Sequence, residues 1–235
     1  MCGRFAQQRP AAELAERFAA ELLVEEPGER TNVAPTDEAL VVVQRDDRRA
    51  IVAFRWGLVP HWAESSRIAS RTFNARVERI AVAPAFRESF RRRRCLVPVD
   101  AFYEWRREVG GAVPFAISRV GAGPLALAGL WSGWREPGGG EVRRTFTIVT
   151  APADDRIADL HDRMPVMLPA DAWDAWLDPS MSDPDRLRAI LVAVDPTPLE
   201  RRQVAPLGRP APRAPVHLLL PLEPMTSGEP LDGDG

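Results

Sequence analysis

The chain contains no lysine: all 31 of its basic residues are arginine, set against 33 acidic ones. Its only primary amine is therefore the one at its N-terminus, and any imine chemistry has to happen there. Cysteine is nearly as scarce. Cys2 and Cys95 are the only two, too few for a disulfide framework. The opening MCGRFAQQRP lacks the charged-then-apolar pattern of a secretion signal, so both thiols are expected to be reduced, in a cytoplasmic protein. The three histidines, His61, His161 and His217, are scattered without ligand spacing and no Cys-x-x-Cys pair occurs; neither a metal nor a cofactor is expected. No stretch approaches the roughly 18 apolar residues of a membrane span. The net charge of −2 excludes a polycation, so binding to nucleic acid would need a local basic surface.

What is present is enough apolar material, 45% of 235 residues, to bury a sizeable core. Leu14, Phe18 and Leu22 stand four apart and predict a helix over residues 11–24. Residues 39–44 and 50–56 read as strands joined by the charged turn RDDRR. Residues 60–80 have mixed polarity and read as a loop. Strands are expected at 95–105, 114–119, 125–131 and 144–150, with Gly121-Ala122-Gly123 and PGGG (137–140) as hairpin turns. Short helices are expected at 153–160, at 172–177 with Asp171 as cap, and at 184–193. Many short strands with helices at the edges predict one α+β domain with a largely antiparallel, barrel-like β core and peripheral helices.

Cys2 carries the most pointed chemistry. Initiator methionine is commonly removed before a small second residue, and removal here leaves a 1,2-aminothiol. Its α-amine has a reference pKa of about 7.7–8.0, far below that of a lysine, so a useful fraction is neutral near pH 7. The thiol supplies a second nucleophile on the same residue. An aldehyde meeting this pair forms an imine, and the thiol can then close a five-membered thiazolidine ring. Gly3 permits close backbone approach to a ligand. By position alone, Cys2 could equally be incidental.

MCGRFA, TNVAPT, RWGLVPHWA, FNARVE, RCLVPVDAFYEW, FTIVTAPAD and IADLHDRMPVML occur in that order. Together they resemble the SRAP family, the SOS-response-associated peptidases or abasic-site processing proteins, from residue 2 to about 168. The resemblance implies an SRAP domain over 1–222, while the Gly, Pro, Ser and Asp of residues 223–235 read as a flexible tail. The resemblance also implies a covalent bond between the N-terminal cysteine and abasic sites in single-stranded DNA, with self-removal of the initiator methionine. The implied catalytic positions are Cys2, Asn74, Glu104 and His161. The chain departs from the pattern at Thr31, where an aromatic is usual, and at 202–220, where prolines stand in place of the usual asparagines.

Each position has a chemical rationale and a plainer alternative. Apolar and aromatic neighbours should raise the pKa of Glu104 and suit it to general acid–base work; the alternative is a surface carboxylate on an edge strand. His161 could shuttle protons near neutral pH or be structural. Asn74 could hold the amine and aldehyde in attack geometry or cap a turn. Arg4 and Arg76 suit phosphate contacts, and Trp62 and Trp105 suit stacking on the bases beside a lesion. The run Arg91–Arg94 is expected to be a solvated face, and Cys95 an inert buried thiol. The expected partner is single-stranded DNA with abasic sites, bound by a monomer that would be nucleoid-associated when on DNA. Three other functions stay open. An N-terminal-nucleophile glutamine amidotransferase also begins Met-Cys-Gly, although Arg4 stands where that class usually has an apolar residue. A general cysteine peptidase would cleave foreign peptides. A non-enzymatic single-strand binding module would bind intact and abasic strands equally.

Overall fold

The computed structural model describes residues 2–121, 123–192, 195–208 and 216. In chain order the elements are β1 (Phe5–Gln7), α1 (Ala11–Phe18), β2 (Ala20–Leu22), β3 (Arg30–Val33), β4 (Glu38–Arg45), β5 (Arg48–Trp56) and β6 (Asn74–Arg76). Then follow α2 (Arg87–Arg92), β7 (Arg94–Val99), β8 (Ala101–Glu108), β9 (Gly111–Arg119), β10 (Leu125–Trp134), β11 (Arg143–Pro152), β12 (Arg163–Pro165), α3 (Trp173–Leu177), α4 (Pro184–Val192) and β13 (Leu199–Gln203). The fold is α+β. Strands β5, β4, β7, β10 and β11 are hydrogen-bonded in that order, and β5 pairs back onto β11 through Thr145↔Arg55 and Phe146↔Trp56, which closes a five-stranded barrel. A second sheet of order β13-β9-β8-β1-β3 stands beside it. Most pairings are antiparallel, while β5 and β6 run parallel to β11.

Alternation sorts the barrel strands into two faces. Val41, Val52, Val97, Leu127, Phe146 and Ile148 belong to an inner core that continues onto Phe5, Phe102 and Ile117 of the second sheet. Leu40, Ile51, Leu96 and Val149 face outward, under Phe18, Phe90, Trp176 and Leu187 of the helices. Gln7, itself buried, stitches the two sheets together. Its side-chain amide donates through Nε2 to the carbonyls of Leu40 (2.9 Å) and Pro98 (2.7 Å), and its Oε1 accepts from the Leu40 amide (2.8 Å). Gly57 ends β5 at the point of closure, where its amide donates to the Phe146 carbonyl. Its φ of 118°, and the 2.7 Å that would separate an added Cβ from the Ala69 carbonyl oxygen, require glycine there.

The structure differs from the sequence reading at several places. The helix expected over 11–24 stops at Phe18, because Ala19 turns left-handed (φ 48°) and β2 then pairs with β5. Residues 95–105 form two strands. Asp100 marks the break by accepting from the amides of Gln8 and Arg9, where the chain leaves the barrel for the second sheet. Gly121 and Gly123 do not bound a hairpin, since β9 and β10 belong to different sheets. Residues 153–160 form successive turns rather than a helix, drawn in by Arg156, which grips Asp154 and the carbonyls of Asp195 and Thr197. Asp171 lies inside a 3-10 turn (Ala170–Ala172) and caps nothing. The loop-like segment 60–80 holds a 3-10 helix and β6. Residues 223–235, the expected tail, lie outside the described residues, as does His217. Among the described residues no helix is long and apolar enough to cross a membrane.

Arg94 overturns the reading of its run as a solvated face. It is buried, and its guanidinium donates to the carbonyls of Trp176 (2.6 Å), Phe90 (2.9 Å) and Met181 (3.0 Å), with Arg91 and Asp178 completing the set. It thereby ties α2, β7, α3 and the following turn together. Burial pushes its pKa down to about 10, with Asp178 opposing the shift, so it stays charged at neutral pH. Arg94→Ala would leave several buried carbonyls without a donor. Chemical denaturation should show a loss of about 3 kcal/mol or more, whereas Arg91→Ala should change stability by less than about 0.5 kcal/mol.

Candidate active site

β1 enters the second sheet antiparallel to β8, with Phe5 opposite Phe102 and the Tyr103 amide donating to the Arg4 carbonyl (2.9 Å). The same register, carried two residues further, brings the start of the chain alongside Glu104. Cys2 is fully buried (0% exposed) and packs in the inner core. Its carbonyl accepts a hydrogen bond from Asn74 Nδ2 at 2.8 Å. Asn74 is presented by β6, which the barrel strand β11 holds in place through Ile148↔Asn74. The amide oxygen of Asn74, Oδ1, is buried and accepts nothing among the described residues.

Glu104 is 2% exposed. It stands on an interior strand, between β1 and β9, and its side chain shares the inner face of β8 with Phe102. Burial raises its pKa to about 7, opposed by the positive charge and hydrogen bond of the chain's N-terminal amine and reinforced by Asp162. The Cys2 thiol is also pushed up, first by burial and then by Glu104, against smaller downward pulls from the N-terminal charge and from the Arg4 carbonyl that the thiol faces at 3.9 Å. The thiol is therefore protonated at rest. His161 is held below its ordinary value by partial burial and then by the same N-terminal charge, with Asp162 opposing and Arg107 and Arg163 adding. Met1 itself, and so its expected removal, lies outside the described residues.

His161 Nδ1 accepts from the Arg163 amide at 2.9 Å and lies 2.7 Å from Asp162 Oδ1. The first contact suits the neutral ring and the second the protonated one. The depressed pKa favours the neutral form. Arg163 is anchored by a two-pronged contact to Glu78 (2.6 and 3.0 Å) and by the Thr150 carbonyl (2.7 Å).

The remaining positions separate. Arg76 is exposed at the end of β6. Arg4 donates to Asn32 Oδ1 (2.8 Å) and to the Gly208 carbonyl (3.3 Å), so main chain from the C-terminal side already occupies it. Trp62 stands 52% exposed on a turn. Trp105 lies on the opposite face of β8 from Glu104 and packs against the cluster of Ala6, Tyr103 and Ala116. Sequence reasoning passed over Glu78, Arg163, Arg107 and Thr150. Arg163 lay two residues from His161 in LHDRMP. Thr150 was visible as the polar interruption of an inward row, Phe146-Ile148-Thr150.

Comparison with known proteins matches residues 1–207 to SRAP, described as SOS response associated peptidase. The chain is 35% identical to abasic site processing protein YoqW of Bacillus subtilis, over 88% of this chain and 93% of that one. It is 33% identical to abasic site processing protein YedK of Escherichia coli, over 77% and 82%. Among solved structures, a protein from Bacteroides thetaiotaomicron superposes with a TM-score of 0.78 at 25% identity, covering 87% of this chain and 92% of that one. A protein from Bordetella bronchiseptica gives 0.74 at 27% identity, over 87% and 100%.

The raised pKa of Glu104 has a consequence for stability. The folded state holds a proton on this carboxyl that the unfolded chain, with an ordinary value near 4.5, releases between there and about 7. The associated stability is present below pH 4.5 and is lost as pH rises through 7. Urea denaturation of the wild type and of Glu104→Gln should show the wild type losing ground to the variant from pH 5 to pH 8. Parallel pH dependences would show that the carboxyl titrates normally.

Proposed function

The chain belongs to the SRAP family, and on that premise we propose that it processes abasic sites in single-stranded DNA by bonding covalently to them through Cys2. The observation that carries this reading is the burial of Cys2 beside the buried carboxyl of Glu104, with Asn74 Nδ2 holding the Cys2 carbonyl at 2.8 Å. Hydrolytic loss of Met1 moves the α-amine onto Cys2, next to its own thiol.

The chemistry then runs in balanced steps. A ring-opened abasic deoxyribose presents an aldehyde at C1′. The neutral α-amine adds to that carbon and gives a carbinolamine. Glu104, protonated because it is buried, donates its proton to the departing hydroxyl, which leaves as water and gives a protonated imine. The carboxylate so formed takes the proton from Cys2 Sγ, and the sulfur adds to the imine carbon. The product is a thiazolidine with its nitrogen neutral and Glu104 reprotonated; the net change is condensation with loss of one water. The raised thiol pKa supports this order, in which the amine attacks first and the sulfur second. In this reading the unpartnered Asn74 Oδ1 accepts an N–H of the moved amine, and His161 exchanges protons with the opened sugar. Exposed Arg76 and Trp62 suit phosphate contact and base stacking on a single strand.

A protonated resting thiol fits poorly with a thiolate peptidase or amidotransferase. Peptide-panel cleavage or glutamine hydrolysis that is lost in Cys2→Ala would favour those readings. Cys2→Ala keeps the amine and lacks the sulfur, so it should give an adduct with an abasic strand only when borohydride traps the imine. A lasting adduct without borohydride would refute ring closure. For the wild type, the single-turnover rate should fall as pH rises above about 7, when Glu104 loses its proton. Glu104→Gln should be roughly 100-fold slower or more, and without that falling limb.

A further inference from the structure

Asn74 pins the Cys2 carbonyl, but one hydrogen bond fixes a point and not a direction. Gly3 follows at once, and glycine has the greatest backbone freedom of any residue. The aim of the Cys2 amine therefore depends on a second anchor beyond Gly3, and Arg4 supplies it. The Arg4 carbonyl accepts from the Tyr103 amide (2.9 Å) and faces Cys2 Sγ (3.9 Å). The Arg4 side chain is held elsewhere. Its Nη1 donates to Asn32 Oδ1 on β3 (2.8 Å) and to the Gly208 carbonyl (3.3 Å), and Asn32 Nδ2 donates to that same carbonyl (3.0 Å). The three groups close a triangle between the start of the chain, β3 and the segment after β13. That segment is seated by the Val204 amide on the Pro114 carbonyl (3.0 Å), and by Val204 and Leu207, which pack on Ala6, Tyr103 and Ala116. This cluster is the outer face of the second sheet, whereas Cys2, Phe5 and Phe102 pack on the inner one.

We propose that residues 204–208 form a clasp that positions the Cys2 nucleophile through Arg4, which makes Arg4 a positioning residue and not a phosphate contact. This rests on the reading of Cys2 as the group that bonds to abasic sites. With its guanidinium committed to Asn32 and Gly208 on the outer side, Arg4 fixes the peptide between Cys2 and Tyr103. It thereby sets the direction from which the amine meets an aldehyde. The clasp holds by few contacts, and Ala205, Pro206 and Gly208 within it are exposed, so a single substitution releases it without opening the barrel. Phosphate is served instead by Arg76, exposed at the end of β6.

The full chain, as wild type, Arg4→Met, Asn32→Ala and Leu207→Ser, tests this at a temperature well below the Tm of every variant. Two single-stranded probes are used, one with a natural abasic site and one with a tetrahydrofuran analogue that cannot open. By fluorescence anisotropy all three variants should bind the tetrahydrofuran strand within about 2-fold of wild type, with unchanged salt dependence. At saturating natural strand, Arg4→Met should form its adduct roughly 10-fold more slowly, and Asn32→Ala and Leu207→Ser roughly 3- to 10-fold, because the nucleophile and not the strand is misplaced. Hydrogen exchange at the Tyr103 amide, which the Arg4 carbonyl accepts, should quicken in the same variants. A clasp that served stability alone would lower the Tm and leave the adduct rate of the folded protein unchanged, so wild-type rates in Arg4→Met or Leu207→Ser would overturn the inference. Weaker binding of Arg4→Met to both probes, with the slope of log affinity against log salt flattened by about 0.7, would also overturn it by making Arg4 a phosphate contact. Failure of the wild type to form any adduct would instead overturn the reading on which it rests.

Discussion

The hydrogen bond from Asn74 Nδ2 to the Cys2 carbonyl joins the first described residue of the chain to a strand 72 residues away. A chain terminus is ordinarily the least ordered part of a domain. Here it is fixed from three directions. β1 is zipped to β3 and β8, Gln7 is bonded to two barrel strands, and the Cys2 side chain is sunk in the inner core. Without that fixation the amine would be a mobile surface charge, and Glu104 a buried carboxyl with nothing nearby to serve. β6 can supply Asn74 only because β11 holds it in parallel register, and β11 holds its own place because it closes the barrel onto β5. The barrel is thus the scaffold whose closure sets the position of the N-terminus.

Burial then does different things to three groups in one small volume. It raises Glu104 into the range where a carboxyl can both give and take a proton near neutrality. It keeps the Cys2 thiol protonated and holds His161 neutral. The absence of lysine from the chain fits this economy: no second amine competes for an aldehyde. Arginine supplies the cations, and much of it is committed to structure, as Arg94 and Arg163 are.

Local patterns in the sequence were read well at two places where the partner strand is also the next strand. The β4–β5 hairpin and the PGGG turn between β10 and β11 were both legible, because turn chemistry and alternation are local. What escaped is set by distant partners. Alanine favours helix, so nothing in residues 19–22 announces a strand that exists only because the edge of β5 is free to pair. The glycines at 121 and 123 carry a good turn signal, but strand choice sends β9 and β10 to different sheets. Arg94 is indistinguishable by type from Arg91 and is buried because the carbonyls of α3 and of the turn after it converge on it. Within the site, the aromatic setting of Glu104 correctly pointed to burial. The same alternation that turns Glu104 inward turns Trp105 outward, which motif spacing alone does not convey. The proximity of Cys2, Asn74 and Glu104 was legible only through the family resemblance.

The central claim is that the residue pinned by Asn74 becomes a covalent nucleophile toward an opened sugar. Intact mass spectrometry tests it most directly, on purified protein before and after mixing with a single-stranded oligonucleotide carrying one abasic site. The account predicts a protein mass lacking Met1, then a shift equal to the oligonucleotide minus one water, absent with the undamaged strand. Retention of Met1, or loss of Met1 with no adduct, would contradict it.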